Sequence, residues 1–183
     1  MTDNTIAEIL DFCFAEGPVK RWFVKDPAFD AAVRARLASL HDAAVDGQFD
    51  DWRETPAGCV ALCILLDQVP RNVFRGTAAA FASDPQARAV TRHALAQGFD
   101  RDLPQVQRLF LYLPLEHSED LADQELSVQL IGALDEAPEW LDYAIRHRDI
   151  IARFGRFPHR NAALGRASTP EEEAFLTQPG SSF

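Results

Sequence analysis

The stretch TPAGCVALCILLDQVPRNVFRGT, Thr55 to Thr77, decides the fold. Its middle, Val60 to Leu66, is apolar at every position, which suits either a buried strand or a helix covered on all sides. The alanines, the length and the Thr55-Pro56 start favour the helix, because threonine caps and proline fits the first turn. A helix apolar all round must be central, with other helices packed on it. Pro70 should end it, since a proline there lacks the N–H and clashes with the carbonyl of Leu66.

Working outward, almost every segment reads at helical period. Ile6, Ile9, Leu10 and Phe14 share one face of a first helix. Asp26-Pro27 opens a second through about Ala44, with Phe29, Val33, Leu37 and Leu40 inward. Thr77 reads as the cap of a short turn through Phe81. Ser83-Asp84-Pro85 starts the next helix and Gly98 ends it. Asp102 to Tyr112 is a further helix, and Pro114 should interrupt it. Ser118 then caps a helix to about Leu134. Ala137-Pro138 opens a long helix, with Leu141, Ile145, Ile150 or Ile151, and Phe154 inward. Thr169-Pro170 opens a last short helix to about Thr177. Residues 178–183 read as a loosely ordered tail, with Phe183 able to dock. No alternating strand and no linker divides the chain. The expectation is an all-α fold: one domain over residues 1–183, a helical bundle or short superhelix of antiparallel helix hairpins.

Composition narrows the function. The chain has 183 residues, a formal net charge of -10 and only two lysines among 18 basic residues. So acidic a protein repels nucleic-acid phosphates. Nearly all the positive charge is arginine, which favours fixed, bidentate pairing with carboxylates or phosphates. No apolar run approaches the roughly 20 residues of a membrane span. The start, MTDNTIAEILDF, lacks the basic and apolar blocks of a signal peptide. Cys13, Cys59 and Cys63 are few and odd in number, which fits a reducing compartment. A cytoplasmic location is expected. Cys59 and Cys63 share a helical face and read as core residues.

Three polar segments stand out from this helical background. In the first, LDQVPRNVFRGT, Asp67 falls in the last turn of the apolar helix, where the dipole disfavours negative charge. Arg71 or Arg75 should compensate, with Gln68 and Asn72 satisfying the carbonyls freed by Pro70. Such a clamp explains Asp67 without function; the functional reading makes it a general base or a ligand beside an arginine anion cradle. The second, RFGRFPHRNAALGR (residues 153–166), repeats the pattern of Pro, Arg-Asn and Gly. Arg153 and Arg156 suit a helix C-terminus, whereas His159, Arg160 and Asn161 lie in a loop with no such account. The third, LPLEHSED (residues 113–120), offers Glu116, His117, Glu119 and Asp120. Glu119 and Asp120 are accounted for by a helix N-terminus. A divalent ion there would need His159 or His147 besides, and the spacing matches no established ligand pattern. His41 and His93 fall on polar faces and read as solvated, while Trp22, Phe23, Trp52 and Trp140 read as fillers between helices.

These segments carry a family resemblance. LLDQVPRNVFRGT, FLYLPLEHSED followed by Gln124 and Ser127, and RHRDIIARFGRFPHRNAALGRASTPEE resemble the bacterial family called domain of unknown function 924. The resemblance runs from the first helix to the closing GSSF. It implies an all-helical fold of tetratricopeptide-like type and brings no activity, substrate or cofactor.

Three functions compete on these residues. The first is a helical protein binding a small anionic ligand or peptide carboxylate through Arg71, Asn72, Arg75, Arg153, Arg156, His159, Arg160 and Asn161. The second is a hydrolase using Asp67 or Glu116 with His117 or His159, with or without a metal ion. The third is a protein-interaction module whose polar motifs tie helices together. The sequence ranks binding or interaction narrowly above catalysis, assigns no metal ligands and names no cofactor. It further predicts that the two Arg-Asn segments face one polar pocket, with residues 113–120 as a third wall.

Overall fold

The computed structural model describes residues 2–14 and 19–182, and the side chains of residues 4–14 and 19–182. Among these residues the protein is all-helical, without a strand. No helix there is long and apolar enough to cross a membrane. The expected docking of Phe183 lies outside the described residues. The chain divides into two compact units: residues 1–75 with 79–114, and residues 76–78 with 115–183.

The first unit is built around the apolar run. Helix α1 is Thr2–Phe14, α2 is Pro27–Val45 and α3 is Pro56–Cys63. Residues 60–66 are at most 2% exposed, as a helix covered on all sides requires. Each such aliphatic side chain contributes about 1.5–3 kcal/mol on burial. Thr55 caps α3 by accepting the N–H of Gly58. Gly58 is obligatory, because a Cβ there would lie 2.1 Å from the carbonyl oxygen of Trp52. Trp52 stacks on Phe49 beneath this turn. The cysteines of α3 are core residues, as expected, and none of Cys13, Cys59 and Cys63 is in a disulfide.

Pro70 does not end the helix. The chain widens into a π-helical turn, Ile64–Gln68, and resumes as α4, Val69–Val73. The wider turn lets Val69 N–H reach the carbonyl of Ile64. Side chains reach the carbonyls of Leu65, Leu66 and Asp67 along this stretch. His41 Nδ1 donates to Leu65 at 2.8 Å, Ser83 Oγ donates to Leu66 at 2.6 Å, and Arg71 donates to Asp67 at 2.7 Å. Buried carbonyls need partners, and three elements supply them. Gln68 and Asn72, expected in this role, instead donate to the carboxylates of Asp67 and Asp30.

Helix α5, Asp84–Gln97, ends at Gly98, whose φ of 71° is the left-handed cap conformation. Helix α6, Gln105–Glu116, continues through Pro114, where an interruption was expected. Thr91 donates to the carbonyl of Leu111 at that level. His41 is buried, and His93 meets the carbonyl of Arg53 at 3.1 Å, so neither is the solvated residue expected. Phe23, expected inside, is 50% exposed.

The second unit holds α7, Leu121–Ile131, α8, Pro138–Phe154, and α9, Pro170–Leu176. Asp120 caps α7, accepting from Ala122 and Asp123. Ser118, the expected cap, donates to the Asp123 carboxylate instead. Helix α8 buries Ala144, His147, Ile150 and Ile151, so its inward stripe has a histidine at its centre. Gly155, φ 67°, turns the chain off α8, and Phe157 then inserts fully buried beside Ile150 and Ile151. Thr169 and Glu172 close α9 with a reciprocal capping box. In the tail, Ser181 is buried and donates to the carbonyl of Leu176.

Candidate functional site

Most of the arginines singled out from the sequence are held by carboxylates of the same unit. In the first unit, Arg71 makes a bidentate pair with Asp84, at 2.8 and 3.1 Å, and reaches Asp67 Oδ1 at 3.2 Å. Burial works to lower the Arg71 pKa, but the two carboxylates outweigh it and raise it. Asp67, 1% exposed, is therefore half of a clamp that also takes the Gln68 amide. Arg75 pairs with both oxygens of Asp30. Burial opposes ionisation of Asp30, yet Arg75 and Asn72 hold its pKa down. A shallow cavity of about 460 Å³ runs past Asp30, Arg34, Asn72 and Arg75. It brings two of the sequence candidates together, with the Arg34 guanidinium on the carbonyl of Val73.

In the second unit the same logic accounts for the loop after α8. Arg153 binds Glu171 on α9. Arg156 binds both oxygens of Glu172, at 2.6 and 2.7 Å, and Asn161 reaches Glu172 and Ser168. These bonds, that of Arg156 first and the Thr169 N–H next, hold the Glu172 pKa at about 2. Arg166 makes a bidentate pair with Glu119, whose Oε1 also accepts the N–H of Phe157. Burial raises the Glu119 pKa, but Arg166 and that N–H bring it below the ordinary value. The segments at 115–120 and 153–166 are thus joined through Glu119.

Glu116, His117, His147, His159 and Arg160 form a different kind of cluster. One donor atom from each of Glu116, His117 and His147 lies within 4.8 Å of the others. Glu116 Oε1 stands 3.3 Å from His147 Nδ1, and both side chains are 5% exposed. The His117 and His147 rings are 5.9 Å apart, centre to centre. Phe157 packs edge-on against His147 at 5.6 Å, and His159 lies 5.5 Å beyond it. The Arg160 guanidinium sits 4.4 Å over the Phe157 ring. His147 Nδ1 is 2.8 Å from the carbonyl of Tyr143. A carbonyl only accepts, so Nδ1 carries the proton and the lone pair is on Nε2. Burial first, then the nearby His117, Arg160 and His159, push the His147 pKa well below its ordinary value. His147 is neutral at physiological pH.

The chain positions these groups by helix endings. Neighbours in a helix do not face one another, but α6 stops at Glu116, so His117 turns with the loop. Gln124, fully buried on α7, donates to the carbonyls of Glu116 and Ser118 and fixes that turn. Its own oxygen, and the hydroxyl of Ser127 one turn on, are buried without a partner. Of the cluster, Glu116, His147 and Arg160 are buried, while His117 and His159 reach solvent. The residue undervalued in the sequence is His147. Its signal was phase: it is three residues from Ala144 and four from Ile151, on the buried stripe.

A helical architecture with a polar cluster at the helix ends defines the class only broadly. The family follows from comparison. The chain belongs to the bacterial family of proteins of unknown function DUF924, whose model matches residues 9–180. It is similar to a solved structure, that of the protein of unknown function ATU0120 from Agrobacterium tumefaciens. That likeness has 44% identity and a TM-score of 0.91, and covers 96% of this chain and 98% of that one. No curated protein matches.

Proposed function

We propose that the second unit carries a hydrolytic acid–base site for a small substrate bearing an anionic group. The observation that supports it is the convergence of Glu116, His117 and His147 within 4.8 Å. Arg160 is buried in the same cluster, its guanidinium 4.4 Å over the Phe157 ring and within electrostatic range of His147. A guanidinium in that setting suits the planar oxygens of a carboxylate or phosphate.

In this reading Arg160 holds the anionic group. Glu116 and the Tyr143 carbonyl fix His147 in the tautomer whose Nε2 is basic. Water gives its proton to a neutral imidazole as its oxygen attacks the substrate's carbonyl carbon or phosphorus. His117 or His159, at the solvent side, returns a proton to the departing oxygen or nitrogen. Asp67, the other acid considered, belongs to the Arg71 clamp of the first unit and has no part in this scheme.

The test is a screen of the full chain against small esters, amides and phosphomonoesters, repeated with His117→Gln and His147→Gln. Turnover that falls at least about 100-fold in both variants is expected. Turnover equal in wild type and both variants would overturn the reading.

A further inference from the structure

We propose that Glu116, His117 and His147 together bind a divalent transition-metal ion of the zinc type. One carboxylate and two imidazoles form a donor set that suits zinc and its first-row neighbours, and it leaves a coordination position open for water or substrate. The three donor atoms already lie within 4.8 Å of one another. Two ligand atoms about 2.1 Å from a tetrahedral ion stand about 3.4 Å apart, so a pair at the 4.8 Å limit would close by about 1.4 Å on binding, through side-chain rotation.

The surroundings are those of a ligating set. A metal-bound histidine typically donates its second ring N–H to a carbonyl or carboxylate. His147 Nδ1 does this toward the Tyr143 carbonyl, at 2.8 Å, which leaves Nε2 as the nitrogen with a free lone pair for an ion. Gln124 ties down the turn that carries the other two ligands. The buried, unpartnered oxygens of Gln124 and Ser127 add polar capacity on α7, the helix that packs on α8. Buried polar atoms without a protein partner are where ions and ordered water are found.

Arg160 lies within electrostatic range of His147, and an anionic ligand on the ion would offset positive charge there. With an ion bound, the His147 Nε2 lone pair and His117 would be taken up as ligands. The ion would then lower the pKa of the attacking water in place of His147, and His159 would return the proton. The hydrolytic reading is altered in that way, and metal binding stands apart from turnover.

The experiment uses the full, untagged chain stripped with chelator and titrated with Co²⁺, read by visible absorption, and with Zn²⁺, read by calorimetry. One equivalent is expected to bind, with Co²⁺ bands of low-symmetry, nitrogen-containing coordination. His117→Gln and His147→Gln should each weaken binding by about 100-fold, and His93→Gln, in the first unit, should leave it unchanged. Glu116→Gln, nearly isosteric, gives the same loss without a change of volume should a histidine variant fold poorly. Absence of saturable binding, or equal affinity in wild type and the three site variants, overturns the proposal. Absence of binding together with turnover that survives chelation overturns the metal proposal while leaving the acid–base reading intact. Stoichiometric binding without turnover supports the metal site and removes the hydrolytic reading.

Discussion

Glu116 Oε1 lies 3.3 Å from Nδ1 of His147, in a place where each side chain is 5% exposed. The Nδ1 proton thus stands between the Tyr143 carbonyl and a carboxylate, and Nε2 remains the basic nitrogen. Glu116→Gln keeps the shape and removes the charge. It should lower turnover by about 100-fold or more while the unfolding midpoint stays near that of wild type. Kinetics and urea unfolding of the same sample check both halves.

Arg71→Met tests the clamp in the first unit. Asp67 and Asp84 are buried and share that guanidinium. Removing one partner of a buried ion pair costs about 3–5 kcal/mol. Urea unfolding should show a loss of that order. A loss below about 1 kcal/mol, the range of a surface pair, would contradict the buried clamp.

Ser83→Ala tests the π-helical turn. The Ser83 hydroxyl is the partner of the Leu66 carbonyl, the one that Pro70 cannot serve. Leaving it unsatisfied costs about 1–3 kcal/mol. An unchanged midpoint would mean that another group takes the bond.

Glu172 predicts part of the acid response. Its carboxyl titrates at about 2 in the folded chain, against an ordinary 4.5. Above pH 4.5 it is ionised folded or unfolded, and its contribution is fully present. As pH falls from 4.5 toward 2 the unfolded chain takes up a proton that the folded chain refuses, so stability drops. Glu172→Gln should flatten the dependence of stability on pH in that window. Equal slopes would assign the acid sensitivity elsewhere.

Cys59 and Cys63 should resist alkylation in the folded chain. Burial raises the Cys59 thiol to about 11 and pushes Cys63 higher still. The thiolate is the reactive form, so labelling should follow unfolding. Rapid modification of the native chain at mildly alkaline pH would contradict this packing.

The helices are legible where a cap and a proline coincide, at Asp26-Pro27, Thr55-Pro56 and Thr169-Pro170, and at Ala137-Pro138 by the proline alone. Prolines inside helices were misread because their cost depends on distant partners. Around Pro70 the carbonyls are served by His41, Ser83 and Arg71, and of these only Arg71 is within reach of local pattern. The polar segments were found by composition, but not their partners. Asp30, Asp84, Glu171 and Glu172 absorb most of the arginines, and they lie between 13 and 45 residues away. A stripe drawn through Leu141 and Ile145 misses His147, because the buried stripe of α8 runs through Ala144, His147, Ile150 and Ile151 while Leu141 and Ile145 are half-buried beside it.

The most direct test of the account is a crystal structure grown without sulfate, phosphate or citrate, soaked in zinc chloride and recorded at the zinc edge. The account predicts an anomalous peak about 2.0–2.2 Å from a Glu116 oxygen and from one nitrogen each of His117 and His147. Peaks confined to surface carboxylates, with none at that cluster, would contradict it.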